Sequence, residues 1–265
     1  MKKVLAIYRA EKFSPNSVEK DKAIMDAVCT RLNGMGHATA TVKEENFSEC
    51  GDAGLILTMG RLDSTLKRLE NRQQQGALII NSPEGVRACA RANIDHVMRS
   101  NGIPVAPLKG DHGYWLKRGD EAAQSKDDVV FAANETERDH KMKAFEARGI
   151  TQVVVTAHVR GDLVKFYGVR GTDFFKTYYP GDDGLSKFGD EIVNGKPAHY
   201  NFDASKLKAD AEKAASLINI DIYGGDCIIR PDGSYAIIDF NDWPSFSRCR
   251  DAAADAMAEM ICKRM

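Results

Sequence analysis

With 265 residues, the chain is long enough for one to three domains and a substantial buried core. Its 37 lysine and arginine residues nearly balance its 38 aspartate and glutamate residues, so the charge gives no basis for binding nucleic acid. No apolar stretch has the length of a membrane-spanning helix or a signal peptide, and the six cysteines are dispersed, so we expect a cytoplasmic protein without disulfides or membrane contact.

The first eighty residues alternate between strand and helix signals. Short apolar runs predict four strands, at 3–8, 38–42, 54–58 and 77–81. Apolar residues at helical spacing predict helices between them, at 18–32 and 63–72. Strands joined by single helices favour a parallel sheet with right-handed crossovers. A further helix, beginning at Pro83 with one apolar face through Val97, leads to a domain boundary expected near residues 100–115.

The remainder of the chain is rich in strand signals. Four more strands are predicted, at 115–118, 129–131, 153–156 and 163–169. Three helices are predicted, at 135–148, at 205–217 with Ser205 as its N-cap, and at 251–262. The segment 180–200 is rich in charge and glycine, which indicates a loop that is mobile or faces a ligand. These signals predict α+β structure in the second half of the chain.

A predicted hairpin carries the residues most informative about chemistry. The segment 231–234, Pro-Asp-Gly-Ser, has the composition of a tight turn, and a two-residue turn at its centre places Asp226 opposite Asp239. Period-two alternation places Asn241 on the same face as Asp239. Since like charges directly opposite one another destabilise a sheet, two carboxylates and an amide on one face predict a bound cation. Oxygen ligands favour a hard ion, Mg²⁺ or Mn²⁺.

The alternative interpretation is a surface hairpin whose acids are simply solvated. Four isoleucines favour a hairpin in the core, and therefore a site; they are residues 228, 229, 237 and 238. The sequence lacks the Walker A and the G-x-G-x-x-G motifs, which disfavours P-loop nucleotidases and dinucleotide-binding enzymes.

The hairpin resembles the closing motif of the ATP-grasp superfamily. In that motif an acid ends one strand, and Asp226 matches it. The next strand ends in acid-x-Asn followed by a turn of small residues and proline, which 239–241 and 243–245 match. The paired aspartates are most similar to the branch with inositol polyphosphate kinases and ribosomal-protein glutamate ligases. Three upstream segments resemble the family in the right order, 81–83, 102–104 and 153–167. The resemblance thus covers residues 78–262.

The resemblance implies an architecture of three lobes. An N-terminal α/β pre-ATP-grasp lobe would occupy residues 1–105. A small ATP-grasp lobe, 106–160, and a C-terminal ATP-grasp lobe with the metal hairpin, 161–265, would sandwich a nucleotide between them.

The resemblance also assigns roles to individual residues. It assigns nucleotide contacts to Arg91, Lys117, Thr156, His158, Val159, Asp162 and Lys165. Among these, Lys117 matches a phosphate contact, 156–159 the hinge whose backbone pairs with adenine, and Asp162 the acid that holds the ribose. It assigns catalysis to Lys165 and Arg170, and the metal to Asp226, Asp239 and Asn241. The chain departs from the family pattern by an arginine at 91 in place of lysine, a glycine-free loop at 120–128, and Ala157 in place of the hinge acid.

The implied activity is that of an ATP- and Mg²⁺-dependent ligase. ATP would phosphorylate a carboxylate, and an amine or similar nucleophile would attack the acylphosphate. Two alternatives stay open: a small-molecule kinase, suggested by the paired aspartates, and a nucleotide-binding module without catalysis, suggested by the glycine-free loop. The expected partner is an anionic small molecule, and the sequence indicates no oligomeric state.

Overall fold

The computed structural model describes residues 3–14, 17–49, 51–120, 123, 125–182 and 195–265. Most of the predicted loop at 180–200, and part of the glycine-free loop at 120–128, therefore lie outside the described residues. Among the described residues, no helix has both the length and the apolar composition needed to cross a membrane.

The N-terminal sheet is parallel throughout, as the strand–helix alternation predicts. Its strands, in the spatial order β2-β1-β3-β4, are β1 (Val4–Tyr8), β2 (Thr39–Lys43), β3 (Leu55–Thr58) and β4 (Leu78–Ile80). The connecting helices are α1 (Val18–Gly34) and α2 (Asp63–Gln74). All four residues of β3 are buried, since this central strand is covered on both faces.

The helix predicted to run from Pro83 through Val97 is instead two helices. They are α3 (Pro83–Ala88) and α4 (Arg91–Ser100). The chain leaves helical geometry at Ala90, whose ψ is 129°, and the Ala92 N–H then donates to the Gly119 carbonyl at 2.9 Å. This contact ties the start of α4 to Gly119, and Arg91 lies in the first turn of the helix.

The second sheet is antiparallel and has three strands. In the order β6-β5-β7 they are β5 (Tyr114–Arg118), β6 (Val129–Ala132) and β7 (Val153–Ala157). Helix α5 (Glu135–Ala147) contributes Phe145 to a small core with Tyr114 and Leu116. This sheet has its own core and shares no strand with the first.

The third sheet is also antiparallel. In the order β11-β10-β8-β9 its strands are β8 (Asp162–Val169), β9 (Phe175–Tyr178), β10 (Ile222–Ile229) and β11 (Tyr235–Asp242). Helix α6 (Ala204–Leu217) precedes β10. Its N-cap is Asp203 and not the predicted Ser205, because the Asp203 carboxylate accepts from the backbone N–H groups of Ser205 and Lys206 and also complements the helix dipole.

The C-terminal helix joins the third sheet to the N-terminal lobe. Helix α7 (Arg250–Arg264) packs along α1, and Val28, Leu32, Met257 and Ile261 share one buried cluster. The predicted fold class, an α/β lobe followed by two α+β lobes, is confirmed. The exact division at residues 105 and 160 stays a prediction.

Candidate nucleotide and metal site

The hairpin of β10 and β11 places Asp226 directly opposite Asp239, which confirms the predicted pairing. The predicted two-residue turn is wrong. The Arg230 N–H donates to the Ser234 carbonyl at 2.8 Å, so three residues form the loop. Gly233 closes the loop with a φ of 80°, in the left-handed region that a three-residue hairpin loop requires at that position.

A β-bulge compensates for the longer turn. Near the turn Ile229 pairs with Tyr235, one residue out of the predicted register. An extra residue in β11, Ile238, restores the register before the two aspartates. The carbonyl of this bulged residue accepts a hydrogen bond of 2.7 Å from Lys117 Nζ. The bulge therefore ties the second sheet to the hairpin at the site itself.

Each of the two opposed carboxylates is paired with a cation, so the uncompensated repulsion expected from the sequence is not present. Lys165 Nζ lies 3.1 and 3.3 Å from the two oxygens of Asp226. The guanidinium of Arg91 contacts Asp239 Oδ1 at 3.4 Å. Burial would raise the pKa of Asp239, but Arg91 and Lys117 outweigh burial and lower this pKa to about 2. Burial lowers the pKa of Lys117 in turn.

Asn241 completes a set of oxygen donors suited to Mg²⁺. Its Nδ2 donates to Asp239 Oδ2 at 3.2 Å, which leaves the amide oxygen Oδ1 for another partner. The described residues contain no group of three or more His, Cys, Asp or Glu that could hold a metal by itself. Two carboxylates and an amide fit an ion that takes its other ligands from water and nucleotide phosphates, as Mg²⁺ usually does.

The predicted hinge, 156–159, begins in the last two residues of β7 and lines the same cavity as the two aspartates. The N–H groups of Ala157 and His158 are already bonded, to the carbonyls of Pro107 at 2.7 Å and Gly113 at 2.8 Å. The Val159 N–H makes no hydrogen bond with any residue in the described part of the chain. Of the hinge amides, it is therefore the one best placed to meet a nucleobase.

The ring of His158 is held neutral. Trp115 Nε1–H donates to His158 Nδ1 at 3.0 Å, and because an indole can only donate, the histidine proton must sit on Nε2. Burial lowers the pKa of His158 in agreement with this arrangement. Both side chains line the cavity.

Asp162 does not face the cavity, contrary to the ribose-binding role that the resemblance implies. Its side chain is buried and its two oxygens accept from the backbone N–H groups of Ala198, at 2.7 Å, and Tyr200, at 2.8 Å. With both oxygens occupied, Asp162 serves to anchor the segment that leads into α6.

Arg170 is also held away from the cavity. Its guanidinium donates to Asp221 Oδ1 at 2.9 and 2.5 Å, and Arg264 of α7 binds the same carboxylate. The buried Asp221 thus joins the end of β8, the start of β10 and the C-terminal helix. The geometry indicates a structural role for Arg170 and not a catalytic one.

We expect Arg170→Ala to lower the free energy of unfolding by about 1–2 kcal/mol, since Asp221 keeps one of its two arginines. The affinity for ATP should be unchanged. Chemical denaturation and calorimetric titration measure the two quantities. Arg138→Ala is the matched control, since Arg138 also pairs with carboxylates and does not line the cavity. A variant of wild-type stability with impaired ATP binding would contradict this assignment.

A group of charged residues from the N-terminal lobe, not predicted from the sequence, also reaches the hairpin. Arg9 follows β1 and Arg61 follows β3, and both extend to Asp242 at the end of β11. Asp21 of α1 accepts from Arg9 at 3.1 Å. A positional signal was available, because both arginines lie just beyond the carboxyl ends of parallel strands, where such sheets usually bind ligands.

One cavity of about 470 Å³ connects these groups. Its walls include most of the predicted site residues: Arg91, Lys117, Thr156, His158, Val159, Lys165, Asp226, Asp239 and Asn241. The N-terminal lobe adds Arg9, Ser17, Lys20, Asp21 and Arg61, and the segment around β11 adds Asp242, Pro244, Ser245, Ser247 and Arg248. Seven cationic and four acidic side chains of the described residues line the cavity, so it carries an excess of positive charge.

Solved structures show which fold this is, although no family model and no curated protein matches the chain by sequence. D-alanyl-alanine synthetase A from Vibrio cholerae superposes with a TM-score of 0.69 at 11% identity, over 99% of this chain and 96% of that one. D-cycloserine synthetase DcsG gives 0.64 at 14% identity, over 97% and 99%. A RimK-domain ATP-grasp protein from Sphaerobacter thermophilus gives 0.65 at 14% identity, over 98% of each chain.

These similarities cover nearly the whole length of each chain. The protein therefore has the ATP-grasp fold, as the resemblance of its hairpin implied. At such identities the agreement is one of fold, and the activity has to be argued from the site.

Proposed function

We propose that the protein is an ATP- and Mg²⁺-dependent ligase that activates a carboxylate as an acylphosphate. The observation that carries the proposal is the convergence on one cavity of two opposed aspartates, an asparagine and three buried or half-buried cations. Fixed cations beside oxygen ligands suit a triphosphate with its metal ion. The ATP-grasp fold, with two neighbours named as synthetases, supports the same reaction class.

The proposed roles follow from position. Lys117, Lys165 and Arg91 would hold the phosphates, while the hinge with its Val159 N–H would hold the base. Asp226, Asp239 and Asn241 would hold Mg²⁺, which when bound neutralises phosphate charge.

The chain's contribution to catalysis would be positioning and charge neutralisation. A carboxylate oxygen of the substrate attacks the γ-phosphorus and ADP leaves. The nucleophile then attacks the acyl carbon and phosphate leaves. The excess of positive charge, to which Lys20 and Arg248 contribute, supports an anionic acceptor.

Hydroxylamine trapping tests the proposal without knowledge of the natural nucleophile. The protein is incubated with ATP, Mg²⁺, hydroxylamine and a panel of small carboxylates, including amino acids and dicarboxylates. We expect a hydroxamate together with equal amounts of ADP and phosphate for at least one acid. Asp226→Asn is the inactive control and should form none.

Two other results would reject the ligase. ADP with a phosphorylated substrate, and no free phosphate, would identify a kinase. Tight binding of ATP with no turnover across the panel would identify a nucleotide-binding module.

A further inference from the structure

Two arginines of the N-terminal lobe contact Asp242, the residue next to Asn241. Asp242 ends β11, and its side chain is only 1% exposed. Arg61 forms an ion pair with its Oδ1. Arg9 lies 3.8 Å from its Oδ2 and donates to the carbonyl oxygens of Asp242, at 3.3 Å, and Trp243, at 2.8 Å.

The loops that carry the two arginines are themselves braced. Glu44, also buried, accepts from the backbone N–H groups of Ala10 at 3.0 Å and Leu62 at 2.7 Å. These are the residues that follow Arg9 and Arg61 in the chain. Glu44 therefore fixes the spacing between the two loops that carry the arginines, independently of their contacts with the hairpin.

This arrangement constrains the backbone at the predicted metal site. Asn241 and Asp242 share a peptide unit, and the arginines hold both the carboxylate and the carbonyl of Asp242. A shift of Asn241 away from Asp239 would have to break buried, charge-assisted hydrogen bonds. Loops of the N-terminal lobe thus add a constraint on the position of Asn241 to the one that its pairing with Gly224 in the hairpin supplies.

We propose that Arg9 and Arg61 are positioning residues that set the place of Asn241 through Asp242, and thereby set the affinity for Mg²⁺ in the presence of ATP. The inference rests on the metal role proposed above for Asn241. Partners of metal ligands commonly change metal affinity by 10- to 100-fold when they are removed, although they do not touch the ion.

Arg61→Met tests the inference, because it removes the charge and keeps an unbranched side chain. We expect the Mg²⁺ concentration that gives half-maximal thermal stabilisation at fixed ATP to rise about tenfold or more. ATP affinity in EDTA should change by less than about twofold, since no phosphate contact is lost. Arg61→Lys should recover part of the loss.

Arg72→Met is the matched control. Arg72 lies on α2 in the same lobe and donates to the Ala53 carbonyl and to Gln75, with no contact to the hairpin. It should lower the melting temperature and leave the Mg²⁺ midpoint unchanged. Asp242→Asn replaces Arg61→Met if the latter does not fold, with the same expected rise.

The outcomes separate this inference from the proposed function. A folded Arg61→Met, or Asp242→Asn in its place, with the wild-type Mg²⁺ midpoint would overturn the positioning role alone. An equal rise in Arg72→Met would overturn it too, since the effect would then be one of general stability. If the thermal stability of the wild type with ATP does not depend on Mg²⁺, the metal site of the proposed function is refuted, whatever Arg61→Met shows.

Discussion

Asp239→Asn is expected to abolish the joint stabilisation of the protein by Mg²⁺ and ATP. In the free protein Lys165 and Arg91 already neutralise Asp226 and Asp239. Mg²⁺ alone would have to displace these two half-buried cations from the carboxylates, and ATP alone would compete with the carboxylates for the cations. When both are bound, Mg²⁺ would pair with the carboxylates and the phosphates of ATP would pair with the cations. The two affinities should therefore reinforce each other strongly in the wild type.

The same variant should also be less stable without ligands. A folded-state pKa of about 2 for Asp239, below its ordinary value, means that its ionised form stabilises the fold above pH 4. This stabilisation is lost as the pH falls from 4 towards 2. Replacing the carboxylate with an amide removes it at neutral pH, at a cost on the order of 2 kcal/mol. The repulsion expected from the sequence would have predicted the opposite sign.

Thermal melts with Mg²⁺ and ATP, added separately and together, measure both effects. Asn241→Ala should show the same loss of joint stabilisation to a lesser degree, since it removes one neutral donor. Asp173→Asn, on an exposed turn, is the control and should behave as the wild type. The metal assignment fails if Mg²⁺ and ATP together raise the melting temperature of the wild type by no more than the sum of their separate effects. It also fails if Asp239→Asn shows the same joint stabilisation as the wild type.

Lys117→Ala and Lys165→Ala should each weaken the binding of MgATP by about 10- to 100-fold. Each removes a cation from the proposed phosphate-binding part of the cavity, and a hydrogen bond to a charged group contributes roughly 1.5–3 kcal/mol. Lys117→Ala should in addition lower stability, because its ammonium group joins the second sheet to Ile238 of the hairpin. Lys165 is about a quarter exposed and its loss should cost less.

Calorimetric titration with ATP in the presence of Mg²⁺ measures the affinities, and chemical denaturation the stabilities. Lys176→Ala is the matched control, since Lys176 is exposed on β9 and does not line the cavity. Unchanged affinity in both site variants, or an equal loss in Lys176→Ala, would refute the phosphate-binding roles.

Local chemistry accounts for what could be predicted from the sequence. Apolar periodicity indicated the parallel sheet and the later strands, because the period of a helix or strand is a property of neighbouring residues. That Asp226 lies opposite Asp239 was predicted from the composition of the turn and the period-two alternation of strands. It was correct only because a longer turn and the bulge at Ile238 offset each other by one residue.

What the tertiary structure alone decided is the partner of each charged side chain. Arg9 and Arg61 meet Asp242 across more than 180 positions of sequence, and Arg91 meets Asp239 across 148. Arg170, assigned to catalysis by resemblance, forms an ion pair with Asp221. Local patterns specify which face of an element is buried, whereas ion pairs depend on how distant elements pack. Whether an acid is repelled, paired or open to a ligand therefore depends on the assembled lobes and not on the sequence around it.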